Sequence, residues 1–556
     1  MDTKRLVLAL SLSAAVLILW TVVFPPPSPP KPAAGPVPTA AAAGGPPAAT
    51  PVPATTNVPI PVAPAPLNVP PIAAAEETLV TVESGFYRAT LTNRGGALRA
   101  FTLKAYQDSE GHPLDLVRQS PGFPGVTLTL DPADGFLSRA AEALYAIEKE
   151  EKDAAVTLRF RYREADGTGL LRTYVFRSGY VASMRVEREG PGRLPLGIVA
   201  GPGIGNPSAD EMKSQYTRPG SAVALFATGS VTRKASGGLK EPESVGPGLT
   251  AVGLEDNYFL TAFLPDARTT AVVRPQTVAI PPGPDGKPAP QEIAVALEGT
   301  GTIAADLYFG PKDIGVLEKV RPGMEKLIDY GWFAILVKPF LWTLKEIQSV
   351  VKNWGVAILI ITFLIKVLLY PLTHKQLVSM KKMSALQPKM EAIRAKYSTK
   401  VKSDPTARTK MNEETMALYK QEGVNPAGGC LPLLLQMPIL IAFYNLLAHA
   451  IELRHAPFML WITDLSAKDP YYVTPILMTV TMWLQQQMTP STGDPAMRRM
   501  MNIMPFAMGF FFKDMPSGLV LYWLMQNVLT IVQQLLLNRY TDLGPTSMKK
   551  ASARTG

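Results

Sequence analysis

Six apolar segments of helix length, a long stretch of period-two alternation at about 78–310, and lysines and arginines gathered at alternate segment ends define the predicted class. They predict an α-helical polytopic membrane protein of six transmembrane helices, with a large all-β domain between the first span and the second. Composition agrees: 556 residues, 47% apolar content, mean hydropathy +0.10 and net charge +10 suit a membrane protein with a sizeable aqueous part. The one cysteine, Cys430, excludes an internal disulfide and stands too far along the chain to carry an N-terminal lipoprotein anchor.

Lys4 and Arg5 precede an apolar run at 6–24, so the positive-inside rule places the N-terminus in the cytoplasm and residues 1–24 form the first anchor. A cleaved signal peptide is the alternative, but the run is long for a signal core and passes directly into PPPSPP without a small-x-small site. Residues 25–75 hold 18 prolines and cannot bury a core, which makes them a Pro/Ala-rich linker.

The β domain is assigned to 76–320. In VTLRFRYRE, Val156, Leu158, Phe160 and Tyr162 alternate with Thr157, Arg159, Arg161 and Arg163, giving one apolar and one wet face. Similar runs recur between Gly, Pro and Asp punctuation, as a sandwich requires. Such folds often bind sugars, so a carbohydrate enzyme is one alternative. With four histidines, no metal-spaced cluster and no phosphate loop, a scaffold or docking domain fits better.

Residues 321–354 carry Lys338, Lys345 and Lys352 seven apart on an otherwise apolar segment, the pattern of an amphipathic helix lying in the membrane interface. The helical core is placed at 355–556, with spans at about 355–372, 431–448, 471–488, 500–512 and 517–537. The first of these has 18 residues, just enough at about 1.5 Å each to cross a hydrocarbon core of about 30 Å. It contains Lys366, which either faces a polar cavity or snorkels to the headgroups.

A cytoplasmic hairpin is expected at 374–429, where 11 Lys/Arg face five Asp/Glu and Met383, Leu386, Met390, Ile393 and Tyr397 follow 3-4 spacing. Its cations, Lys381, Lys382, Lys389 and Arg394 among them, either hold the loop inside by topology or meet a ribosome or an emerging chain. Arg498, Arg499, Arg539 and the basic tail agree with a cytoplasmic C-terminus.

Polar residues inside the spans suggest a wet groove. Thr362, Lys366 and Tyr370 share one face of the second span, and Tyr522, Gln526, Thr530 and Gln533 or Gln534 one face of the sixth; Gln436, Thr474, Thr481 and Gln485 add to these. Interhelical hydrogen bonding alone is the plainer reading. These segments contain no Asp or Glu, which disfavours a proton-coupled transporter or an aspartyl intramembrane protease. Eighteen of 22 methionines fall in 380–556, as either a repackable client surface or ordinary gap filling would have it.

The runs NWGVAILIITF, YPLT, VNPAGGCLPLLLQMPI, ELRHAPFMLWITDLSAKDPYY and MPSGLVLYWLMQN resemble the YidC-type membrane protein insertases of Gram-negative bacteria, relatives of the mitochondrial oxidase-assembly and chloroplast Albino insertases. The resemblance covers nearly the whole chain. It implies a periplasmic β-supersandwich, an interfacial helix, a cytoplasmic hairpin and a five-helix core whose hydrophilic groove opens to lipid and cytoplasm. It further implies a non-enzymatic insertase and chaperone of the inner membrane, needing no cofactor or metal. Its partners would be nascent membrane proteins, the lipid bilayer, the Sec translocon and, transiently, the ribosome, without recognition of any nucleic-acid sequence. Thr362, Tyr522 and Trp523 near Lys366 would contact the client. The family's groove usually carries an arginine where this chain has Lys366, which keeps the charge and loses the planar, bidentate geometry.

Overall fold

The computed structural model describes residues 69–540 apart from 109, 119–124, 129–134, 191–194, 207–219, 236–238, 240, 266–269, 277–291, 399–404, 424–430 and 489–494. The expected anchor at 1–24, most of the 25–75 linker, Cys430 and the basic tail lie outside the described residues.

Three antiparallel sheets build the β domain. The nine-stranded sheet runs from Val231–Ala235 through Ser221–Phe226, Leu249–Glu255, Phe259–Pro265, Thr302–Pro311, Val181–Glu189, Gly169–Phe176 and Ala155–Arg163 to Ala146–Lys152. The five-stranded sheet is centred on Glu292–Thr300, and the four-stranded sheet covers Leu79–Glu83 to Pro113–Asp115. Period-two alternation sets the inner faces: Leu158 and Phe160 are buried, while Arg159 and Arg161 reach Glu150 and Glu189 at 3.0 and 3.1 Å. Phe101 of the small sheet stacks on Tyr87 at 4.4 Å and on Phe309 of the large sheet at 4.7 Å, joining the two through aromatic area.

Two details depart from the expected pattern. Arg172 stands in the apolar register of its strand and is fully buried, because its guanidinium donates to Gly95 O at 2.6 Å and to the Tyr174 hydroxyl at 2.6 Å. The linker also ends before 75. Ile72 exchanges backbone hydrogen bonds of 2.9 and 3.0 Å with Arg163, so the prolines at 70 and 71 only keep this segment at a sheet edge.

Helix α1 is Gly135–Glu142 and α2 is Ile314–Val320, the latter capped by Asp313, whose carboxylate accepts from Val316 N at 2.9 Å. There follow α3 Ala334–Val351, α4 Trp354–Leu368, α5 Tyr370–Ala385, α6 Gln387–Tyr397, α7 Pro405–Gln421, α8 Leu431–His449, α9 Val473–Met488, α10 Pro495–Phe512 and α11 Ser517–Tyr540. Among the described residues, α11 holds the one unbroken stretch long and apolar enough to cross a bilayer, Ser517–Leu537; Trp354–Leu368 and Tyr370–Met383 qualify together, bent by 64°. Within the segment expected to span at 355–372, the helix thus breaks after Leu368. Pro371 lacks an N–H and fits the first turn of α5, where none is needed, better than the interior of a longer helix.

Helix α4 packs against α3 and α11, α9 between α10 and α11, and α8 against α3 and α11. Glycine permits a close approach at the start of α4. A Cβ at Gly355 would stand 2.1 Å from the Phe458 ring, so only glycine lets the 458 loop lie across the start of α4. Asn353 secures that corner, accepting from Val356 N at 3.0 Å and donating to Phe458 O at 2.7 Å.

The segment between α8 and α9 fastens the bundle to the β domain. Arg454, 8% exposed, donates to Gln107 O at 2.7 Å and Asn206 Oδ1 at 3.0 Å, with its guanidinium 5.2 Å from the Phe259 ring centre. Asn206 passes the connection to buried Asp256, whose carboxylate also accepts from the backbone of Tyr258 and Phe259. Lys345 of α3 lies between Asp313, at 3.4 Å, and Glu452. It thus turns inward, away from the uniform lysine stripe expected with Lys338. Burial pushes the Glu452 carboxyl up; burial also opposes charge on Lys345, but the two carboxylates outweigh it and hold that ammonium above its ordinary value.

Candidate functional site

Helix α11 displays Tyr522, Gln526, Thr530 and Gln533 along one edge, about 16 Å from first to last by helical rise. The Tyr522 ring is fully buried and stacks on Phe443 of α8 at 4.4 Å and 15°. Its hydroxyl accepts from Gln436 of α8 and, at 3.5 Å, from Gln526. One turn on, Thr530 donates to Gln526 O at 2.7 Å and accepts from Lys366 Nζ at 2.8 Å. Gln533 then donates to Thr373 Oγ1 at 3.1 Å, just past the bend between α4 and α5. Thr362 is fully buried on α4, its hydroxyl satisfied by Ile358 O at 2.6 Å.

The result is a polar strip between α4, α8 and α11, enclosed at Thr362 and Tyr522 and open at Lys366. The same two helices carry exposed apolar side chains: Phe363, Leu364, Val367 and Leu368 on α4, and Val528, Val532, Leu535 and Leu536 on α11. Among the described residues Lys366 forms no ion pair; its one hydrogen-bond partner is the neutral Thr530. By helical rise Thr530 lies about 20 Å along α11 from Ser517, so the ammonium sits well down the bundle.

The expected residues thus divide. Thr362, Lys366, Gln436, Tyr522 and Gln526 come together. Trp523 packs on Phe512 of α10 at 5.1 Å. Gln485 stands seven residues after buried Met478, on the α9 face turned to α11. Thr474 serves the start of α9, where its N–H and hydroxyl each reach Asp469 Oδ2 at 2.8 Å. Tyr370 falls beyond the bend and stacks on His374 at 5.5 Å. Thr373 and Asn527 escaped the sequence reading. Asn527 bridges to Met478 O and the Thr481 hydroxyl at 3.4 and 3.3 Å, and its signal was a polar side chain next to Gln526, on the side of α11 turned to α9.

In the hairpin, α6 and α7 close over Met383, Leu386, Met390 and Tyr419, with Lys389–Glu422 and Lys396–Glu414 at 2.6 Å each. Lys389 is therefore engaged within the hairpin. Lys381 donates to Leu537 O at 3.2 Å, a cation on the carbonyl end of α11. Lys382 is exposed and Arg394 half-buried; neither forms an ion pair among the described residues.

The fold and the site together define a two-part protein, a helical C-terminal bundle with a lysine in a polar strip fastened to a mostly β domain. The profile of the YidC periplasmic domain matches residues 79–343, and that of the 60Kd inner membrane protein matches residues 346–544. The membrane protein insertase YidC of Geobacter metallireducens is 38% identical over 88% of this chain and 90% of its own length. Those of Syntrophus aciditrophicus and Geotalea daltonii are 35% identical over 97% of this chain and 100% of theirs, and 36% identical over 96% and 99%. The chain belongs to the YidC family of membrane protein insertases. This is a family of insertases, not enzymes, with a mostly β periplasmic domain and a helical C-terminal region in the inner membrane.

Proposed function

We propose that this chain inserts nascent inner-membrane proteins and helps them fold, alone or with the Sec translocon, by receiving their polar ends at the Lys366 recess. Six spans would place both termini in the cytoplasm and the β domain in the periplasm. The observation that carries the proposal is the contrast at Lys366: a cation well down an apolar helical bundle, hydrogen-bonded to a hydroxyl and matched by no carboxylate among the described residues. Such a charge is costly in apolar surroundings and retains its full capacity for an incoming partner. An acidic or polar leading segment would supply that partner, shortening the dehydrated path it must cross.

The client's apolar segment would then lie along the exposed faces of α4 and α11 and leave into lipid, driven by about 25 cal/mol for each Å² of apolar surface removed from water. Thr362, Tyr522, Gln436 and Gln526 are enclosed in the resting arrangement, so a client meets Lys366 first and reaches them only as α4 and α11 part. Trp523 and Gln485 would act by holding α10 and α9 against α11. The hairpin, through Lys382 and Arg394, would meet the ribosome or the emerging chain.

The test is photo-crosslinking from Val367 and Val532, on the exposed apolar faces of α4 and α11, to ribosome-stalled membrane-protein chains of increasing length. Crosslinks that appear as the first apolar segment emerges and fade on release support insertion along this face. Chains inserted at the normal rate without any such crosslink would overturn it.

A further inference from the structure

Away from the polar strip, α9 and α10 form between them an open slot of about 430 Å³ lined by Pro475, Ile476, Val480, Phe506, Gly509 and Phe510. Gly509 forms its floor, since a Cβ there would stand 1.9 Å from the Thr479 hydroxyl. That hydroxyl already donates to Pro475 O at 2.8 Å, so the slot offers apolar surface. The mouth is different. Lys513 Nζ lies 5.1 Å from the Phe510 ring centre and 2.6 Å from Asp514, while Lys468 Nζ lies 5.9 Å from the Tyr472 ring and 3.9 Å from the same carboxylate.

Two ammonium groups share the Asp514 carboxylate at the rim of an apolar slot, while the neighbouring Asp469 carboxylate is taken up by the start of α9, accepting from Tyr471 N and from the Thr474 N–H and hydroxyl. The rim faces the β domain, because the segment leading to Lys468 is the one that Arg454 ties to Gln107 and Asn206. Tyr471 is exposed beside it, an amphipathic ring suited to headgroup depth. We infer that the α9–α10 slot binds a phospholipid with a net anionic headgroup from the periplasmic leaflet. One acyl chain occupies the slot and the phosphate meets Lys468 and Lys513. A zwitterionic lipid fills the slot equally well but brings its own cation to the rim. The inference rests on α9 and α10 spanning the bilayer, as proposed above.

The full chain, purified and exchanged into mixed micelles containing dioleoylphosphatidylglycerol or dioleoylphosphatidylethanolamine, is examined by native mass spectrometry. One retained phosphatidylglycerol in excess is expected, weakened about fivefold for each of Lys468→Gln and Lys513→Gln, as for a lysine facing an anionic lipid surface. Asp514→Asn, which leaves both lysines in place, should tighten it. Ile476→Trp should fill the slot and remove the preference. Equal retention of the two lipids, or a preference unmoved by the lysine and asparagine changes, overturns the site. Placement in the bilayer is read separately: with Cys430→Ser as background, Ile476→Cys should resist a water-soluble maleimide. Ready labelling would overturn the span, whatever the headgroup result.

Discussion

The junction between the β domain and the bundle and the recess at Lys366 both bury polar groups, yet they treat charge in opposite ways. At the junction each cation has its partners: Arg454 has two oxygen acceptors, and Lys345 has Asp313 and Glu452. At the recess, Lys366 has one hydroxyl. A buried charge held by several acceptors is expensive to disturb; one left with a single neutral partner gains from any anion that arrives. The first arrangement holds two domains together, and the second is the one proposed to receive the client.

Breaking the junction should therefore give the largest effect. Arg454→Ala leaves Gln107 O and Asn206 Oδ1 without their donor at a buried site, a loss on the order of 3 kcal/mol. The expected readout is faster proteolysis between the β domain and α9, with the sandwich itself still folded by circular dichroism. Unchanged protease resistance would show that the junction is not held by these bonds. The same logic shapes a deletion of about residues 80–300. It removes both acceptors, so the truncated chain should retain substantial insertion when Arg454→Gln accompanies the deletion and less without it. Loss of insertion by a stable, correctly oriented double variant would show that the β domain contributes to insertion directly.

The recess should respond through charge. Lys366→Arg is expected to remain active; Lys366→Ala should slow insertion of clients with acidic leading segments about tenfold, or roughly 1.4 kcal/mol, and Lys366→Glu more. Thr530→Val, which removes only the hydroxyl partner, should cost about 1 kcal/mol or less and spare the charge dependence. The measurement is insertion of matched clients differing only in leading-segment charge, at equal levels of each variant. Indifference to both client charge and Lys366→Ala would mean that Lys366 merely reaches for the headgroups.

These contrasts also show what the sequence could carry. Period-two alternation located the β domain because a strand's side chains report its buried face directly, and i, i+4 spacing gathered Tyr522, Gln526 and Thr530 on one edge of α11. Where two influences competed, pattern misled. Arg172 sits in apolar register because distant carbonyls satisfy it, and Lys345 leaves its stripe for acids 32 and 107 positions away along the chain. Thr474 and Gln485 are polar residues in an apolar segment like those of the strip, and only tertiary packing sends one to a helix start and the other to the α11 side. The break after Leu368 was signalled by Pro371, but its 64° bend, which takes Tyr370 away from Lys366, depends on how α5 leaves the bundle.

The hairpin extends the comparison to the surface and should give the smallest effects, because solvent already screens its charges. Lys389 is matched, to Glu422 at 2.6 Å, and Lys381 lies on the carbonyl end of α11, whereas Lys382 and Arg394 form no ion pair among the described residues. If matched charges hold and unmatched ones receive, the two classes must separate experimentally. Replacing Lys382 and Arg394 with Gln should weaken ribosome binding and flatten its logarithmic salt dependence by roughly 0.7 for each lost phosphate contact, the value for single strands. Lys389→Gln should leave that slope unchanged and loosen the α6–α7 pair by about 0 to 1 kcal/mol, as an exposed ion pair allows. Binding measured between 50 and 200 mM salt, a range chosen because counterion release acts strongly there, distinguishes them. Equal slopes for all three proteins would mean that the basic hairpin serves topology alone, and the rule that separates the junction from the recess would stop at the membrane surface.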